Sequence, residues 1–582
     1  MNEQENAPAR SATWRRLLIP PRAPAPEARA ASLGTVAAWG AALLICMLLL
    51  PDSVLSYFSS GLVIENDERQ HLMPFVGFHQ PGVMENDLIR GVMYSHTAAG
   101  SRALYWLLTL VFPTPFAAAK AVTAALFLAT FYTCWRLGRA AAPAGGAALA
   151  ILLVRSPLSS QVLYGGLPRS FAVPLILGFL YHLFIASERG VFAMLLLLAL
   201  FYPTGMAICA VAYALFLAVE LARRGWTATA PRLARMCLAG LLCLLALLPT
   251  LHKPEYAGHV AGTDDPEIRA AFGPGGRVRG VLPFAPATRA LSDASRLAFQ
   301  AGAPPFHWAL AKVGRNAHLA IFLACAVLAA ALLWRSGRRD WLLQLACFAG
   351  AGVLLYVAAR AVAFRLYLPS RMLEYSLPFA LAVLCCLGLS LVPRWRWAGH
   401  ALPALFLLAC FLVVGDREPP WGVGVVDLRP QRELYEFFRT TPSDSLVAGD
   451  PFELDNVACM SARRVYVSWE NAQPFYDRYF HEILRRFRAQ HQGYFATDPA
   501  SLAAFLRDQK IDYLLINRVT FRPGGAVHYR LFDPLDADLF RQRNGVPYHR
   551  FVLSNDNLPG MVYHSDYFNV LDAKAYCDEA RE

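Results

Sequence analysis

The chain of 582 residues is 56% hydrophobic and only 16% charged, with a formal net charge of +12. Ordinary soluble domains carry roughly 25% charged residues, so a soluble enzyme, a disordered scaffold and a fibrous protein are excluded; a polytopic α-helical membrane protein is expected. The base excess does not call for nucleic acid. From Asp416 onward 20 Lys and Arg face 24 Asp and Glu, and the positive surplus before that point lies in short links between apolar runs, the positive-inside pattern of membrane topology.

Residues 1–32, rich in Pro, Ala and Arg, read as a disordered cytoplasmic leader. A membrane domain is expected over 33–415. Its first span, Leu33 to about Phe58, is too long for a signal-peptide core. Further spans are predicted near Phe116–Arg136, Gly145–Leu163, Phe171–Ala186, Gly190–Tyr202, Gly205–Ala222, Leu233–Pro249, Asn316–Trp334, Trp341–Arg360, Met372–Leu391 and Gly399–Val414. Most approach the roughly 20 residues that cross a bilayer. Tyr202-Pro203-Thr204-Gly205 marks a broken pair or a re-entrant turn. With the N-terminus in the cytoplasm, every second link is basic: Arg136/Arg139, Arg189, Arg223/Arg224/Arg232/Arg235, Arg335/Arg338/Arg339 and Arg394/Arg396.

About eleven transmembrane helices of roughly this length then leave two large loops, 59–115 and 250–315, on the outer side. The apolar stretch Arg102–Phe112 is too short to span and is expected to lie on the membrane surface. Residues 416–582 fall outside as well, as a soluble extracytoplasmic α/β domain. Strand-like runs there (Ser445–Ala448, Arg464–Ser468, Ile511–Ile516) alternate with helical stretches at Pro474–Gln492 and Asp498–Gln509. A structural lid or docking role is the commoner one for such a domain. The expected location is the cell (inner) membrane, multi-pass. Cys459 and Cys577 then face an oxidising compartment, where a disulfide is permitted but not required.

The loop after the first span holds the most informative segment, Glu65-Asn66-Asp67-Glu68-Arg69-Gln70-His71, within a stretch that also carries Glu85 and Asp87. A carboxylate just beyond a membrane helix can take a proton from an acceptor hydroxyl while a lipid-linked donor reaches it from the bilayer. A solvated loop with an acidic helix cap competes with that role. The outer link bearing Arg360, Arg365 and Arg371 runs against the positive-inside pattern, and guanidinium groups bind phosphate bidentately. Arg169, in the turn Gly165-Gly166-Leu167-Pro168-Arg169-Ser170, is placed similarly. Arg155 lies inside a span, where an ionisable group is costly. Against each arginine singly stands snorkelling to lipid headgroups. His71, His79, His96, His252 and His259 lack paired spacing and read as loop histidines rather than metal ligands. Asp264-Asp265 offers carboxylates to a divalent cation, with a solvated turn the commoner alternative.

This layout resembles the GT-C superfamily of integral-membrane glycosyltransferases, which share a cytoplasmic N-terminus, an acidic pair in the first outer loop, interfacial helices after it and often a soluble outer domain. The resemblance maps the family's catalytic acidic residue onto Asp67, with Glu68 its neighbour, and its carrier-phosphate-binding residues onto Arg169, Arg365 and Arg371. The chain departs from the pattern in two places: it has no WWDYG-like motif, and its short second outer loop lacks an acidic residue. What the resemblance implies is inverting transfer of a sugar from a polyprenyl-phosphate donor to a cell-surface glycan, lipid or protein acceptor at the bilayer surface. It names no certain cofactor and leaves a divalent cation as a candidate. Two other functions fit the same chain: a flippase for a lipid-linked glycan, and a catalytically silent scaffold of cell-envelope assembly.

Overall fold

The computed structural model describes residues 52–141, 162–251, 253–262, 264–271, 326–362, 365, 368–389, 391, 424–525 and 527–579, with Gly40 and Leu44. The leader, the predicted spans at Gly145–Leu163 and Gly399–Val414, most of the first span, and Arg155 and His252 lie outside them. Helix α1 (Asp52–Ser59) is the described end of the first predicted span and leads into strand β1 (Val63–Glu65), the single turn α2 (Glu68–His71), α3 (Leu88–His96) and α4 (Ala99–Leu108).

Then come the long apolar helices. Among the described residues four are long and apolar enough to cross a membrane: α5 (Pro115–Ala141), α8 (Pro203–Arg224), α9 (Trp226–Leu251) and α10 (Arg339–Ala361). Two shorter helices, α6 (Ala172–Phe184) and α7 (Glu188–Phe201), pack between them, and α11 (Pro369–Glu374) and α12 (Leu377–Leu389) follow α10. Only 11% of the most apolar window of α9 is buried. Leu238, Leu241, Leu242, Leu244, Leu245 and Leu248 project outward from it, which water would penalise and lipid tails do not.

The boundaries have local causes. Tyr202 leaves helical geometry between α7 and α8 (φ −144°, ψ 81°) with Pro203 at the first helical position, where its missing N–H costs nothing. The two helices pack on each other across this break. The predicted span Met372–Leu391 is not continuous: Tyr375 and Ser376 separate α11 from α12. Gly352 of α10 allows this, since a Cβ there would fall 1.7 Å from Ser376 Oγ. Basic links gather at one end of the bundle, where Glu188 pairs with Arg232 (2.6 Å) and Arg235 (2.7 Å), Arg224 with Glu220 (2.9 Å), and Arg338 donates to the Ala140 carbonyl (2.6 Å).

At the other end residues 424–579 cover the loop that follows α1. Their mixed sheet runs β4 (Arg464–Val465), β3 (Leu446–Gly449), β5 (Tyr513–Asn517), β7 (Phe568–Asp572), β6 (Met561–His564); β3 is parallel to β4 and β5, while β7 is antiparallel to β5 and β6. Helices α13 (Arg432–Thr440), α14 (Pro451–Ser461), α15 (Asp477–Tyr494) and α16 (Pro499–Asp508) belong to the same unit. Asp450 caps α14, accepting from Phe452 N at 2.9 Å, and Asp498 caps α16, accepting from Ser501 N at 2.8 Å. Cys459 and Cys577 are both buried; their sulfurs face the carbonyls of Arg69 and Ala503.

This unit is joined to the loop after the first span. A second strand, β2 (Val425–Asp427), pairs antiparallel with β1, Ile64 opposite Val426, and one hydrophobic core runs from Ile64, Leu72 and Phe75 into Leu434, Leu454 and Leu514. The loop 253–271 docks on it too: Ala261 N donates to Phe475 O at 2.8 Å and Arg478 meets Glu255 at 2.9 Å. Helix α4 and the turn after it leave Trp106, Leu107, Leu110 and Val111 exposed beside this assembly.

Candidate active site

The chain rises along β1 and turns at Asn66, whose amide donates to the Gly424 carbonyl at 2.7 Å. The turn brings Glu65, at the strand end, beside Asp67, at the N-terminal boundary of α2: the Asp67 amide donates to Glu65 Oε2 at 2.8 Å. Arg169 closes this arrangement from the Gly165–Gly166 turn. Its Nη1 donates to Asp67 Oδ2 and its Nη2 to Glu65 Oε1 at 3.2 Å, so one guanidinium spans two carboxylates. The turn needs glycine: Gly165 and Gly166 lie at φ +82° and +57°, and a Cβ on Gly166 would meet the Tyr105 hydroxyl at 2.5 Å and the Ala119 backbone at 3.1 Å. Tyr105 itself donates to the Gly166 carbonyl at 3.0 Å.

The two carboxylates differ in access. The Asp67 side chain is 26% exposed and that of Glu65 is 7% exposed. Burial pushes the Glu65 carboxyl up to about 8, against the opposing pull of the Arg169 charge and with a further push from Asp67. A carboxyl tuned to this range can exchange a proton near neutral pH.

Glu68 is not part of this pair. It points away, is fully buried beneath Gly165, and accepts from the Tyr57 hydroxyl at 2.6 Å. Burial raises its carboxyl well above the usual range, while the Tyr57 hydrogen bond and the Lys120 charge pull the other way. Lys120 donates to the Val63 carbonyl at 2.8 Å and to the Tyr57 carbonyl, and its ammonium stands 3.9 Å from the Tyr57 ring centroid. This cluster ties α1, β1 and α5 together behind the exposed carboxylates. Sequence reasoning missed both Glu65 as a partner of Asp67 and Lys120. The first was legible in the Glu-x-Asp spacing, the second in a lone cation within an apolar run.

Arg371 and Arg365 separate. Arg371, in the last turn of α11, pairs with Glu374 at 2.8 Å, and its charge acts together with that of Arg169 on the buried Tyr375. The Tyr375 ring packs against Tyr202 at the α7–α8 break, 4.9 Å between centroids. Arg365 sits exposed in a turn, and no contact among the described residues gathers it to this group.

Several of the remaining sequence candidates have structural partners. Asp87 caps α3, accepting from Arg90 N at 2.7 Å. His79 meets the Phe112 carbonyl at 3.0 Å, and His96 stacks on Tyr476. Asp265 accepts from the Glu267 and Ile268 amides at 2.9 and 3.1 Å and contacts His481. Among the described residues one group of metal-type donors gathers, His528, Asp533 and Asp536. It belongs to the C-terminal unit and includes none of the residues around Asp67.

No protein-family model and no curated protein matches the sequence. Solved structures do. The apo oligosaccharyltransferase of Archaeoglobus fulgidus superposes with a TM-score of 0.51 at 11% identity, over 87% of this chain and 72% of that one. The oligosaccharyltransferase AglB from the same organism, in complex with an inhibitory peptide and a dolichol-phosphate, gives 0.48 at 13% identity over 83% and 69%. ArnT from Cupriavidus metallidurans in the apo state gives 0.40 at 13% identity over 94% and 98%. At such identities likeness establishes architecture alone: the chain shares its fold with the Archaeoglobus fulgidus oligosaccharyltransferase.

Proposed function

We propose that this protein is a membrane glycosyltransferase. It takes a sugar from a polyprenyl-phosphate carrier and delivers it to a glycan, lipid or protein acceptor on the outer face of the cell membrane. About eleven spans carry it, in keeping with helices of roughly 20 residues; the N-terminus is cytoplasmic, and the α/β unit of residues 424–579 lies outside. The observation that carries this function is the Glu65–Asp67–Arg169 group, set on a GT-C fold at the end of the bundle opposite the basic links.

The residues divide the work by chemistry. Asp67, the more exposed carboxylate, accepts the proton of the acceptor nucleophile as its bond to the anomeric carbon forms. The bond from that carbon to the carrier phosphate breaks, and the phosphate leaves with the electron pair. Arg169 and Arg371 supply positive charge where this anion develops, the kind of preorganised stabilisation that contributes most to such steps. Glu65 holds Arg169 and the Asp67 amide in register, and Glu68 anchors the loop from below.

Asp67→Asn tests this function. It keeps the shape and removes the basicity, so sugar transfer from a defined polyprenyl-phosphate donor should fall by about 10²–10⁴-fold, with donor binding retained. Transfer at the unmodified rate would sink the mechanism. Glu68→Gln should instead act on stability.

A further inference from the structure

Two carboxylates two residues apart, both reached by one cation, form the kind of oxygen-donor pair that a hard divalent ion takes. Here the cation is already part of the chain. Arg169 Nη1 and Nη2 donate to Asp67 Oδ2 and Glu65 Oε1, and Glu65 Oε2 accepts the Asp67 amide. Three of the four carboxylate oxygens that would ligate a metal are therefore engaged by N–H groups. A guanidinium cannot vacate the site by losing its proton. Its position is also set by the backbone: the left-handed Gly165–Gly166 turn is locked by Tyr105 and by the Thr123 hydroxyl, which accepts from Gly166 N at 3.1 Å. Metal binding at the pair would have to displace a half-buried, doubly paired arginine.

We infer that Arg169 is the resident cation of the Glu65–Asp67 pair, taking the place that a divalent ion would hold between two such carboxylates, so that these residues do not take up a metal until the arginine is removed. The inference rests on the function proposed above for the site's relevance, but the occupancy of the pair is a property that can be read without turnover.

The test uses the full-length protein in detergent and Mn²⁺ as the probe, with bound ion counted by electron paramagnetic resonance in wild type, Asp67→Asn, Arg169→Lys, Arg169→Gln and the double variant Arg169→Gln/Asp67→Asn. Ion taken up elsewhere, for example at His528, Asp533 and Asp536, is common to all five and does not depend on Asp67. Wild type and Arg169→Lys should show no Asp67-dependent Mn²⁺; Arg169→Gln should gain one equivalent that the double variant loses again. Thermal melting identifies any variant that has not folded, and Arg169→Lys keeps a cation in place if the neutral substitution unfolds the loop. Mn²⁺ in wild type that disappears in Asp67→Asn would overturn the inference, and so would a folded Arg169→Gln protein that gains none. Neither result depends on whether sugar transfer is observed, which the Asp67→Asn rate decides separately.

Discussion

Arg69 leaves the loop after α1 to meet Glu470 of the C-terminal unit at 3.7 Å, and both side chains are buried. The same guanidinium donates to Asn456 Oδ1 at 3.3 Å and to the Asn66 carbonyl at 3.2 Å. Asp67 lies two residues before Arg69, so the turn that presents the exposed carboxylate is pinned from the unit above it. Strand pairing of β1 with β2 adds a second tie on the other side of Asn66.

Glu470→Gln should destabilise the protein strongly. Removing one partner of a buried pair leaves the other charge uncompensated, at a cost of about 3–5 kcal/mol. Replacing both residues with apolar ones of similar volume should recover much of that loss. Melting temperatures of the two single variants and the double variant give the coupling; additive effects would show that Asn456 and Asn66, rather than Glu470, hold Arg69.

Stability should also fall as pH rises. Burial pushes the Glu65 carboxyl from 4.5 to about 8, and burial likewise pushes Asp455, beside Arg69, from 3.8 to about 7. Both groups hold a proton in the folded chain at pH values where the unfolded chain has lost it. Their contribution is thus fully present below about pH 4 and is lost as pH rises through 7 and 8. Melting curves between pH 5 and 8.5 should show this slope in wild type. Glu65→Gln and Asp455→Asn should each make it shallower, and a slope unchanged in both would assign it to other groups.

The sequence carries the apolar periods of the membrane helices plainly, because a span is a long one-dimensional signal. Breaks within helices are harder to see. Within Met372–Leu391 only Pro378 hints at the interruption at Tyr375–Ser376, and the room for it comes from a glycine 24 residues earlier in α10. The site was half legible for a related reason. Adjacency suggested Asp67 with Glu68, but neighbours in a turn point apart, and the pairing that forms is Asp67 with Glu65. Arg169 could be named from its turn, yet its contact with two carboxylates more than 100 residues earlier in the chain is a tertiary fact. In the C-terminal unit the expectation covers β3 and β5 but not β6 and β7, which have the same lengths of four and five residues.

The two arginines of the α10–α11 link should differ in their effect on the donor. Arg371 acts electrostatically on the same tyrosine as Arg169, and its partner Glu374 is only three residues away. A phosphate arriving beside Arg169 therefore meets a second guanidinium whose existing pair is a partly exposed one, which solvent screens and holds weakly. Arg365 stands exposed outside this group. Arg371→Ala should weaken binding of a polyprenyl-phosphate analogue by about 1.5–3 kcal/mol, the range for hydrogen bonds to charged groups, or roughly one to two powers of ten in Kd. Arg371→Lys should recover only part of this, since an ammonium lacks the planar fork. Glu374→Gln should tighten binding by releasing Arg371 from its competitor, and Arg365→Ala should leave it nearly unchanged. Analogue titrations of the four folded variants check the set together. A loss in Arg365→Ala as large as that in Arg371→Ala would put the carrier phosphate at the exposed turn, away from the Asp67 pair, and the proposed division of roles would fail with it.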